Sequence, residues 1–167
     1  MMHTIRITLL TLLAAMLWGC APGPVRGSSA LPEHRPSDFT LGLVVFGDEE
    51  AISPETRSAR YIIEPDGKFR ASFGAGSDAL TYPPITRMLD ERTLEHAWSK
   101  LQSLQLDQSP WQPSHAPELE HRQRGSAKGY LLELRSGVRD QSWSTPIDTQ
   151  SAQSLAQWLA GLAWIQE

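Results

Sequence analysis

The segment "ARYIIEPDGKFRASFG", residues 59–74, constrains the fold more than any other stretch. Pro65-Asp66-Gly67 is a turn with a mechanism, because proline presets the first central φ and glycine accepts a positive one. Phe69, Ala71 and Phe73 alternate along the arm that follows, which predicts a hairpin with one buried face. The chain has one cysteine among 167 residues, so no intramolecular disulfide supports that hairpin. Packing has to hold the fold, and a hydrophobic content of 40% with 20% charged residues fits a globular chain.

Other elements follow from period and punctuation. Over residues 38–47, "DFTLGLVVFG", Phe39, Leu41, Leu43 and Val45 share one face at a period of two. Val44 and Phe46 lie on the opposite face, which predicts cover on both sides there. A further strand is expected within 82–89, confined to a sheet edge by Pro83-Pro84. Asp90 then caps a helix, with Leu89 and Leu94 at the spacing of a hydrophobic staple. Its stripe is Leu94, Ala97, Trp98, Leu101 and Leu104. Residues 107–127 form a long loop, and 128–146 a second hairpin turning at Ser136-Gly137. A terminal amphipathic helix is expected over 149–165, with Leu155, Trp158, Leu159, Leu162 and Ile165 apolar and Asp148 or Thr149 as cap. Hairpins interrupted by two helices predict an α+β domain over residues 38–167, an antiparallel sheet with both amphipathic helices on one face. These patterns leave the strand order open.

The N-terminus is of a different kind. A short start carrying Arg6 precedes an apolar run from Ile7 to Trp18. As a helix that run reaches roughly 18 Å, short of the roughly 30 Å of a bilayer core, and it fits a secretory leader over residues 1–19. The run ends in Leu17-Trp18-Gly19-Cys20, which resembles the lipobox of bacterial lipoproteins. Leu17, Gly19 and Cys20 match, with Trp18 at the intervening position. The resemblance implies a mature chain that starts at Cys20, bearing a thioether-linked diacylglycerol and an amide-linked third chain. Two or three acyl chains give durable anchoring where one holds only reversibly. Ala21 stands where an aspartate would favour inner-membrane retention, so the resemblance implies the periplasmic face of the outer membrane. Residues 20–37 then read as a lipidated start and a flexible linker rich in Pro, Gly and Ser. From residue 21 onward that linker reaches about 23 Å as a coil and about 50 Å if extended.

The chemistry-bearing residues give little that is specific. His115 and His121 with Glu118 and Glu120 are the nearest approach to a metal set, but their spacing and the surrounding prolines favour a solvated loop. The G-x-G at 74–76 lacks the helix start of a phosphate cradle, and the acidic run at 47–55 lacks the register of a calcium loop. His96 borders the apolar stripe of the first helix. No metal, cofactor or catalytic residue is assigned. The net charge of −4 offers no basic footprint for nucleic acid.

Beyond the leader, "GYLLEL" at 129–134, Trp143 with Asp148, and "LAQWLAGL" at 155–162 make the chain look like small envelope domains of the emfourin type. That resemblance implies an inhibitor of thermolysin-like metallopeptidases. The expected function is a non-enzymatic, lipid-anchored domain that binds another envelope protein. The candidate surface is Trp111 and His115 on the long loop with Asp48, Glu49 and Glu50 on the acidic connection. The alternative is a hydrolase or metal-dependent enzyme whose site is assembled from distant residues.

Overall fold

The computed structural model describes residues 31–114, 128–137 and 139–164. Seven strands form one antiparallel sheet: β1 (Thr40–Phe46), β2 (Ala59–Ile63), β3 (Lys68–Phe73), β4 (Ile85–Met88), β5 (Gln112–Pro113), β6 (Gly129–Ser136) and β7 (Arg139–Pro146). Their spatial order is β4-β3-β2-β1-β6-β7-β5, so β1 lies in the middle between two hairpins. The helices α1 (Glu91–Ser103) and α2 (Gln150–Ala163) follow β4 and β7. The sheet dominates this α+β arrangement.

Register explains the two faces. Leu41, Leu43 and Val45 of β1 pair with Ile63, Tyr61 and Ala59 of β2 and with Leu134, Leu132 and Tyr130 of β6. Period-two geometry puts all of these on one face. They form a single core with Leu94, Ala97, Trp98 and Leu101 of α1 and Ala152, Leu155, Ala156 and Leu159 of α2. Phe39 meets Trp98 edge-on at 5.6 Å, and Tyr61 meets Phe73 at 5.7 Å. Burial holds the Tyr61 and Tyr130 hydroxyls well above the usual phenol range.

The local signals act as their chemistry requires. Gly67 has φ +84°, and a Cβ there would lie 2.6 Å from the Leu89 carbonyl oxygen. The turn therefore needs glycine both for its conformation and for the approach of the chain that pairs as β4. The Asp90 carboxylate accepts from the Thr93 N–H at 2.8 Å and caps α1. At α2 the N-cap is Thr149, whose hydroxyl makes no capping bond. It is shared instead with Thr145 Oγ1 at 2.7 Å. In α2 the three alanines Ala152, Ala156 and Ala160 lie deepest with Leu155 and Leu159, whereas Trp158 and Leu162 are half-buried. Trp158 packs against His96 of α1 at 5.4 Å, so part of the expected stripe joins helix to helix. Ile165 lies outside the described residues.

Two segments behave differently from their composition. Residues 31–37, assigned by proline and serine content to the linker, pack on α1. Leu31 abuts the core, and the Pro32 carbonyl accepts from Trp98 Nε1 at 3.2 Å and Gln102 Nε2 at 2.8 Å. Arg35 pairs with Glu91 and Glu95 and stacks over Phe39. In the long loop, β5 pairs with β7 and Trp111 is buried, as is Leu106 just before it.

Candidate functional site

Among the described residues, the buried helix side chains all belong to the core of the first face, and the second face holds none of them, although its Val44 and Leu131 are fully buried. Its central side chains are Val44, Arg60, Ile62, Leu131, Glu133 and Ser144, set by the same register that builds the core. A cleft of about 650 Å³ opens on this face, a size typical of ligand sites. Its floor is Gly42, Arg60, Ile62 and Glu133, and its wall is Ala79–Tyr82.

Arg60 and Glu133 stand on β2 and β6, two strands separated by β1, and join over it with Nη2 donating to Oε2 at 2.6 Å. Gly42 makes that bridge possible. A Cβ at this position would lie 2.8 Å from Glu133 Oε2 and 3.4 Å from both terminal nitrogens of Arg60. The Arg60 side chain is 8% exposed and that of Glu133 22%. Arg60 Nε and Nη1 are buried without a hydrogen-bond partner. A buried guanidinium with three of its five N–H donors unmet is unusual, since buried polar groups are as a rule paired.

The wall is latched to the sheet. Arg70 stacks on the Tyr82 ring at 4.3 Å, donates to Glu64 at 3.0 Å and to the Pro83 carbonyl at 3.1 Å. The Tyr82 hydroxyl donates to Glu64, and that bond raises its pKa. Asp78 accepts from the Thr81 hydroxyl and from the N–H groups of Thr81 and Leu80 at 2.8–2.9 Å, which lowers its pKa. Leu80 itself is 84% exposed. The cleft therefore offers a buried cationic donor, carboxylate acceptors and an apolar wall; among the described residues its lining contains no imidazole or thiol.

Those residues expected from sequence that the structure describes fall elsewhere. Trp111 is 4% exposed and belongs to the core, so it is no surface anchor: it directly precedes β5, which pairs along β7, and its side chain joins the same hydrophobic cluster as Trp143 of β7. Asp48 pairs with Lys128 at 2.6 Å on an exposed turn, and Glu49 and Glu50 are exposed beside it. None of the three lines the cleft. His115, His121, Glu118 and Glu120 lie outside the described residues, as do Leu17, Gly19 and Cys20. Among the described residues no three His, Cys, Asp or Glu side chains form a metal-holding group, and no helix is long and apolar enough to cross a membrane.

Sequence reasoning missed Gly42, Arg60 and Glu133. A signal for them exists: each is the glycine or charge that interrupts an apolar strand run, and only the strand order shows that they meet. No protein-family model matches the chain, and neither a curated protein nor a solved structure does.

Proposed function

We propose that this chain is a lipid-anchored protein of the bacterial cell envelope whose folded part binds another envelope protein through the open face of its sheet. The anchor rests on Leu17, Gly19 and Cys20 and their resemblance to a lipobox, with Ala21 favouring the outer membrane. The binding role is carried by one observation, the half-satisfied Arg60 guanidinium on the floor of a cleft. Glu133 and the space over Gly42 hold it there. The resemblance to emfourin-type domains makes an envelope protease the narrowest form of this partner.

A photo-crosslinking residue at Leu80 in intact cells tests the reading. It is expected to give an adduct with an envelope protein that the same residue at exposed Gln157 of α2 does not give. Equal or absent adducts at the two positions count against the cleft. For the anchor, the mass of the mature chain is expected to correspond to a diacylated Cys20 start, and a free thiol contradicts it.

A further inference from the structure

The charges around the cleft narrow what can lie in it. Arg60 needs oxygen acceptors for Nε and Nη1, because a buried N–H without a partner is costly. Yet the lining holds three carboxylates, Glu64, Asp66 and Glu133, against two cations, Arg60 and Arg135. The neighbours only balance these: Arg70 pairs with Glu64, Lys68 with Asp66, and Asp140 with Arg135. An incoming anion would meet like charge at close range with no spare cation to offset it. A neutral carbonyl oxygen supplies the acceptor without adding charge. Beside it Glu133 keeps partial solvent access and can accept an N–H. Donor and acceptor side by side over a glycine match the C=O and N–H of a peptide backbone, and Ile62, Pro65 and Leu80 give an apolar side chain its contact.

We infer that the cleft binds an uncharged, extended peptide segment, one backbone carbonyl accepting from Arg60 and one N–H donating to Glu133. This rests on the reading of the open face as a protein-binding site. Arg60 lines the cleft, and both of its terminal nitrogens stand 3.4 Å from the position a Cβ on Gly42 would take, the space the carbonyl enters.

The test is a ¹⁵N NMR titration of the full chain in mild detergent with three probes: N-acetyl-Gly-Leu-Gly-amide, sodium acetate and inorganic phosphate. The peptide amide is expected to shift the Gly42 amide and the Arg60 Nε–H signal in a saturable way, while acetate and phosphate at equal concentration and ionic strength do not. Arg60→Lys keeps the charge but loses the planar fork, and is expected to weaken the peptide about tenfold. Leu80→Ser changes only an exposed side chain, so it leaves the fold intact and is expected to weaken the peptide as well. Shifts caused by acetate or phosphate alone, or no shift at Gly42 and Arg60 with any probe, overturn the inference. Crosslinking from Leu80 separates the two levels. Adducts that persist unchanged in Arg60→Lys leave the binding face in place and remove the peptide chemistry, whereas loss of all adducts in the unaltered chain removes the binding face itself.

Discussion

Leu131 and Leu132 are neighbours on β6, both fully buried, and belong to different worlds. Leu132 joins the core built by β1, β2 and both helices. Leu131 lies on the opposite face, in the row that runs through Arg60, Val44 and Ser144. The helical face is made of interchangeable apolar contacts, each adding to stability. On the other face Val44 and Leu131 are buried as fully, but beside them stands a buried guanidinium joined to a carboxylate, an arrangement that well-packed apolar residues match or exceed in stability. One face holds the fold through apolar packing, and the other carries the ion pair on which the proposed binding rests.

Substitutions measure that difference. The largest loss is expected on the helical face: Trp98→Ala removes the ring that meets Phe39 and holds residues 31–37 through Pro32, at a cost of about 3–5 kcal/mol in chemical denaturation. Trp111→Ala is expected to cost nearly as much, about 3 kcal/mol, because its ring is part of the same core. A small stability change would return Trp111 to the surface. On the open face Gly42→Ala forces a methyl group against Glu133 and is expected to cost about 1–3 kcal/mol, with the Arg60–Glu133 contact displaced. The smallest effect is at the start of α1. The Asp90 carboxyl is held below the usual carboxylate range, first by its bond from the Thr93 hydroxyl. Its contribution is thus fully present above about pH 4 and lost as the pH falls through the lowered value. Asp90→Asn keeps a capping oxygen, so its melting temperature is expected to fall less between pH 5 and pH 3 than that of the unaltered chain, measured by circular dichroism.

How much of this was legible in the sequence divides along the same two faces. The hairpin turns at Gly67 and Ser136-Gly137, the Asp90 cap and the α1 stripe are written locally, in side chains a few residues apart. Period-two alternation assigned Phe39, Leu41, Leu43 and Val45 to the core for the same reason. The open-face site was not legible. Arg60 and Glu133 are 73 residues apart and meet only because β1 inserts between their strands with a glycine at position 42. Composition misled where long-range contacts overrode it: residues 31–37 read as tether yet pack through backbone carbonyls, which sequence patterns do not report. Trp111 misled because a two-residue edge strand is too short to leave a periodic signature.

The sharpest measurement is the double substitution Arg60→Met with Glu133→Leu, assayed for melting temperature and for crosslinking from Leu80 in cells. Under the proposed binding role, the double variant is expected to melt at or above the temperature of the unaltered chain and to give no envelope adduct from Leu80. A variant that melts well below the unaltered chain while keeping the adduct would mean that the pair is structural and that the open face binds nothing through it.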